Sequence, residues 1–156
     1  PVRGGDMGQT PAYVQIEVAS MASHTSPIQT NAEVDRAGHR IVVGINSAYD
    51  LYLTREIKAA TLVRAPSSPA VLETMAAQKM EVAAGVKQQL QMDAQRIPGM
   101  RLLDGRFMVI NQAMGLPKGR DAAHAYLSAF VQEMKASGFV ARSLQRHGIE
   151  GAAVAP

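Results

Sequence analysis

The stretch Ile41–Asp50, I-V-V-G-I-N-S-A-Y-D, constrains the fold more than any other part of this chain. Ile41, Val42, Val43 and Ile45 form an apolar, largely β-branched run without period-2 alternation, the pattern of a strand covered on both faces. Asn46 tolerates a left-handed turn that most non-glycine residues resist. Ser47, with Asp50 three residues on, fits the opening of a helix, where side-chain oxygens accept from orphaned amides. A buried strand that turns tightly into a helix aims free N–H groups and the positive end of the helix dipole out from the sheet edge. That arrangement suits a carboxylate or a phosphate. The same turn is a plain connection in many α/β proteins, so its neighbours decide its use.

The rest of the chain supplies those neighbours. Tyr13–Val18 alternates, with Val14, Ile16 and Val18 on one face and Tyr13, Gln15 and Glu17 on the other, as a half-buried strand does. Pro1–Pro11 carries no periodicity and reads as irregular. Ser23–Thr30 is a loop around Pro27, and Asn31–Arg36 a helical turn ended by Gly38. Tyr49, Leu53 and Ile57 recur on one helical face. Thr61–Ala65 is a strand, followed by a helix with Ser68 as N-cap and Pro69 in its first turn; Leu72, Met75 and Ala76 form its apolar face. Val82–Val86 is a third buried strand, and Val86, Leu90, Ala94 and Ile97 line the helix after it. Asp104-Gly105 predicts a hairpin between Met100–Leu103 and Arg106–Ala113. Leu116–Gly119 is a linker. Asp121 caps a helix with Tyr126, Leu127, Phe130, Val131 and Met134 on its apolar face, which Gly138 closes. A last helix carries Phe139, Val140 and Leu144.

This order predicts an α/β protein with a mainly parallel sheet, helices on both faces, and further C-terminal helices. Ligands of such sheets sit beyond the carboxyl ends of the strands. Three loops share that edge: Asn46-Ser47, Pro66–Ser68 and Val86–Gln88.

Composition narrows the function. At 156 residues the chain is long enough for one full core. The formal charge of +3 is scattered, and four Tyr, three Phe and no Trp leave no basic stripe with aromatics beside it; a nucleic-acid partner is not expected. With no cysteine there are no disulfides or thiolate metal sites. His24, His39, His124 and His147 share no metal-ligand spacing with acids, and no nucleophile elbow is present. No metal, cofactor or catalytic residue is therefore assigned. No apolar run reaches membrane-spanning length. An opening at Pro1 without Met reads as a processed, trimmed or truncated chain, with which loss of an export leader is compatible.

Taken together, Pro11–Glu17, Ile41–Gly44 through Ser47–Asp50, Glu81–Gly85 and Lys135–Phe139 resemble, in order and spacing, the type 2 periplasmic solute-binding proteins of ABC transporters, in their amino-acid-binding (family 3-like) group. The resemblance runs from about Pro11 to Ile149. It implies two α/β lobes joined by hinge strands, with ligand held between them. On that reading 1–30 is an irregular N-terminus and hinge strand, 31–116 the ligand-binding lobe, and 117–156 a linker and helices that pack on the other lobe. The opening strands and helices of the family's first lobe have no counterpart here. The apolar faces at Phe130, Val131, Met134 and Leu144 are expected to dock on that missing lobe or on a second copy, by domain swapping.

The resemblance also assigns candidate ligand contacts. The Asn46-Ser47-Ala48 turn would hold a carboxylate through the Ser47 hydroxyl and the Ala48 amide, and Tyr49 would line the pocket or pack on Leu53. The family's ammonium-pairing acid is absent from Gly85-Val86-Lys87-Gln88. Lys87 there would favour an anionic group, and Gln88 a hydrogen bond. Glu17, Ser67 and Ser68 are secondary candidates, read first as a solvated acid and as turn and cap residues. The implied function is capture of a small anionic or zwitterionic solute in the periplasm and delivery to an ABC permease. Two alternatives stay open: a dehydratase-like enzyme on the same fold, and a sensor or interaction fragment of a larger receptor.

Overall fold

The computed structural model describes residues 5–156. The chain forms two compact units. One is contiguous, Glu17–Val109; the other is assembled from both ends of the described residues, 5–16 with Ile110–Pro156.

The contiguous unit is built around the apolar runs. Strand β2 (Val14–Ser23), β3 (Arg40–Gly44), β4 (Thr61–Ala65), β5 (Val82–Val86) and β6 (Met100–Leu102) lie side by side in the order β4-β3-β5-β2-β6. β3 runs parallel to both β4 and β5, while β2 lies antiparallel to β5 and β6. Helices α1 (Ala48–Glu56), α2 (Val71–Ala77) and α3 (Lys87–Arg96) connect the parallel strands and lead out of the last one. Val42 and Ala83 are register partners that pack with Met21, Leu72, Met75 and Leu90 in one core. Their strand neighbours Ile41, Val43, Val82 and Ala84, which point the other way, are equally inaccessible. Both faces of the sheet are thus covered, as the unalternating apolar runs require.

The predicted Asp104-Gly105 hairpin does not form. Gly105 has the expected positive φ of +79°, but the chain does not reverse there. Leu103 N–H donates to Ser20 O and Phe107 N–H to Val18 O, so 104–106 bulge out opposite Ala19 and the chain resumes along the same strand β2. Strand β7 (Met108–Gln112) then follows β2 onward. A ten-residue β2 offers a long edge. Burial of Leu103, together with the hydrogen bond from Asn31 Nδ2 to Asp104 O, holds the bulge in place.

The discontinuous unit contains β1 (Met7–Gln9), β8 (Gly115–Pro117), α4 (Asp121–Ala136), α5 (Phe139–Arg146) and β9 (Ala152–Val154). β1 pairs with β8, and β9 with Val14–Ile16 of β2. Strands of three residues each therefore form within the segment read from the sequence as irregular, at the start of the linker, and at Ala152–Val154 after the last helix. The N-caps also differ: Ser67, not Ser68, precedes the short 3-10 turn Ser68–Ala70, and Arg120, not Asp121, precedes α4. Val131 and Val140 are buried, whereas Tyr126 is 75% and Phe139 54% exposed. The helical stripe thus overstated what α4 covers.

Candidate functional site

The parallel strands β3, β4 and β5 end at one edge, and the loops that follow them meet there. β3 stops at Gly44, a residue earlier than the apolar run suggests, and Ile45 is half exposed as the first turn residue. Asn46 adopts the left-handed conformation, φ +59°. Ser47 Oγ accepts from Asp50 N–H at 3.0 Å, and Asp50 Oδ2 reaches back to accept from Asn46 N–H at 2.9 Å. The expected helix opening is present, with the return bond landing one residue before the cap. Asp50 is buried, held by Arg64 Nε at 3.0 Å and by the Thr54 hydroxyl. Ser47 has accepted one hydrogen bond and keeps its own hydroxyl proton to donate.

The loop after β4 presses directly against the end of β3. A Cβ built on Gly44 would lie 2.7 Å from Ser68 Oγ and 2.8 Å from the Ser68 N and Cα. Only glycine admits this approach. From the other side Tyr49, 3% exposed, donates its hydroxyl to Ser68 Oγ at 2.7 Å. The tyrosine therefore both packs and reaches the site edge. Ser67 precedes this turn without any side-chain cap bond.

These groups border a cavity of about 350 Å³. Its polar lining is Tyr49, Ser68, Gln88 and Gln89; its apolar wall is Pro69, Gly85, Val86, Leu90 and Met92. Asn46, Ser47 and Ala48 flank Tyr49 in sequence but do not line it. Gln89 is fixed by two 3.0 Å bonds from its amide nitrogen to the buried Asp93 carboxylate. Its position, and that of Met92, gave no sequence signal, because a glutamine in a helix's first turn and a methionine one turn later read as ordinary helix residues, while Pro69 read only as a helix opener.

Lys87 does not line the cavity. Its Nζ donates to Glu17 Oε2 at 3.0 Å, and Arg106 Nη1 approaches Glu17 Oε1 at 3.4 Å. Val18 pairs with Val86, so Glu17 on β2 and Lys87, the first residue of α3, are brought together just beyond that pair. Glu17 is thus not merely solvated, as the sequence suggested, and Lys87 already has a counter-ion. Among the described residues there is no cluster of metal-ligating side chains, and no helix is long and apolar enough to cross a membrane.

A ligand-sized cavity beyond the carboxyl ends of parallel strands, lined where three strands lead into their helical segments, is the arrangement by which open α/β sheets bind ligands. No family profile and no curated protein matches the sequence. Solved structures match the fold closely. A solute receptor for L-cysteine from Neisseria gonorrhoeae superposes with TM-score 0.79 at 13% identity, covering 100% of this chain and 66% of that one. A Salmonella typhimurium periplasmic binding protein of high arginine specificity gives 0.73 at 17% identity, over 94% of this chain and 66% of that one. A histidine kinase sensor domain similar to periplasmic binding proteins gives 0.79 at 16% identity, over 99% and 68%. The fold is that of the amino-acid-binding periplasmic proteins, and the chain spans about two thirds of their length.

Proposed function

We propose that this chain is the solute-binding component of an ABC importer, working in the periplasm on a small carboxylate-bearing solute, an amino acid or related organic acid. The observation that carries the reading is the convergence of Tyr49, Ser68 and Gln88, from the first turns of three separate helical segments, on one cavity. The Ser47 hydroxyl proton and the Ala48 amide at the start of α1 are the proposed carboxylate donors, with Asn46 shaping the turn. Lys87 and Glu17 set the charge beside the site, and Ser67 positions Ser68.

We assign the apolar hollow of the other unit to a protein partner. It measures about 380 Å³, and its wall includes Phe130, Met134, Phe139 and Leu144. In solved relatives of greater length the fold continues beyond what this chain spans. The proposed occupant is that remaining part of the fold, or a second copy when the chain is alone.

The test is an NMR titration of the ¹⁵N-labelled chain with amino acids and short organic acids up to about 10 mM, a range that detects even the weak binding of an open half-site. Perturbation of the Ala48, Tyr49, Ser68 and Gln88 signals by at least one solute is expected, with at least tenfold loss in Ser47→Ala. No perturbation by any of them would remove the reading. A sensor role is the second reading, supported by the likeness to the kinase sensor domain. It differs in predicting that ligand changes the activity of a linked output domain and not the rate of uptake.

A further inference from the structure

The cavity has a charge character that the sequence alone did not disclose. None of its lining residues is Asp, Glu, Lys or Arg. The ionised groups nearest in the chain are already matched. Asp50 faces Arg64, Asp93 faces Arg96 and the Gln89 amide, and Lys87 faces Glu17, which also meets Arg106. Asp50 and Asp93 are both about 3% exposed, so neither can turn to a ligand without abandoning a buried partner. A charged side chain entering here would give up water and find no counter-ion, which is strongly unfavourable.

Neutral hydrogen-bonding groups are instead plentiful. Ser68 Oγ accepts from Tyr49 and retains a proton to donate. The Gln88 side chain makes no hydrogen bond among the described residues, so its carbonyl and its amide are both at a ligand's disposal. Gln89 has its nitrogen held by Asp93, which orients a side chain that borders the cavity. Pro69, Val86, Leu90 and Met92 supply apolar surface for a short methylene stem.

We infer that the cavity receives only the side chain of the bound amino acid, whose carboxylate is held outside the cavity at the start of α1, and that it selects a side chain that is small, polar and uncharged (an amide, hydroxyl or thiol) over cationic and anionic ones. This rests on the reading of the chain as a solute-binding protein and adds the solute's class. It separates this chain from the arginine-specific relative of the same fold.

The experiment is a titration of the full chain with L-glutamine, L-serine, L-lysine, L-arginine and L-glutamate, followed through the side-chain amide signals of Gln88 and Gln89. Glutamine or serine is expected to bind at least tenfold more tightly than any of the three charged amino acids. Gln88→Glu should narrow or invert the ratio between glutamine and lysine, and Gln88→Ala should weaken glutamine while leaving the fold's amide spectrum in place. Equal or tighter binding of lysine, arginine or glutamate would overturn the selectivity and leave the solute-binding reading standing. Silence toward all five, with response to some other solute, would also overturn it. Silence toward every solute would overturn both.

Discussion

Gly44 and Ser47 perform different tasks one turn apart, and substitutions separate them. An alanine at Gly44 must displace the Ser68 backbone, because its Cβ would meet not only Ser68 Oγ at 2.7 Å but also the main-chain N and Cα at 2.8 Å, which a side-chain rotation cannot relieve. Gly44→Ala is expected to cost about 1–3 kcal/mol, the range for overpacking a tight site, and to weaken ligand binding by moving Ser68. Gly85→Ala makes a useful contrast. Its Cβ would meet only the Leu90 side chain at 3.2 Å, and urea melts should show a smaller loss. Ser47→Ala removes the hydroxyl that accepts from Asp50 N–H and should cost about 1 kcal/mol, typical of a lost N-cap. If Ser47→Ala lowers stability by that amount with solute affinity unchanged, the serine is a cap and nothing more. Neither the Gly44 contact nor the pairing of Glu17 with Lys87 was visible in one dimension, since each joins residues far apart in the chain. The left-handed Asn46 and the Ser47 cap were visible, because both are local backbone chemistry.

Elements with a long, repeated signal were the ones the sequence disclosed. β3, β4 and β5 are five-residue strands with apolar centres, bounded or interrupted by Asn, Pro or Gly, and α1 and α3 present residues at helical spacing. β1, β8 and β9 are three residues each and contain Gly, Pro or Ala. Nothing in so short a segment distinguishes a strand from a loop until a partner lies beside it. The bulge at 104–106 was misread for a related reason: Asp-Gly specifies the local turn but not which edge the chain takes afterwards. One ion pair at the start of β3 offers a test at this scale. Arg40 grips Glu81 through Nη2 at 2.8 Å and Nε at 3.0 Å, and its backbone N–H also donates to Glu81 Oε2 at 2.8 Å. These bonds pull the Glu81 carboxyl from its ordinary 4.5 down to about 2. A carboxylate whose pKa is lower folded than unfolded stabilises the fold above the unfolded value and loses that contribution as pH falls toward the folded one. Acid melts should therefore show stability declining between about pH 4.5 and 2, and Glu81→Gln should flatten that limb. An unchanged acid limb in the variant would show that the pair adds nothing, as exposed pairs often do.

For the whole molecule, the consequential feature is the apolar hollow beside Phe130 and Phe139. An apolar wall facing water favours association, so the isolated 156-residue chain is expected to self-associate at micromolar concentration. Phe139→Ser should shift light-scattering mass toward monomer at little folding cost, because Phe139 is already 54% exposed. A stable monomer of the unmodified chain would contradict the assignment of this face to a protein partner. The sequence indicated that α4 and α5 lack a natural cover, although it wrongly placed Tyr126 on the packed side.

The two units also differ in when they can exist. During synthesis every residue of Glu17–Val109 has been polymerised before the first residue of α4 is added. The other unit cannot close until Ile110–Pro156 has also been made. The lobe with the solute cavity can thus mature on the nascent chain, and a stall or truncation late in translation would yield a formed pocket attached to an unfinished neighbour.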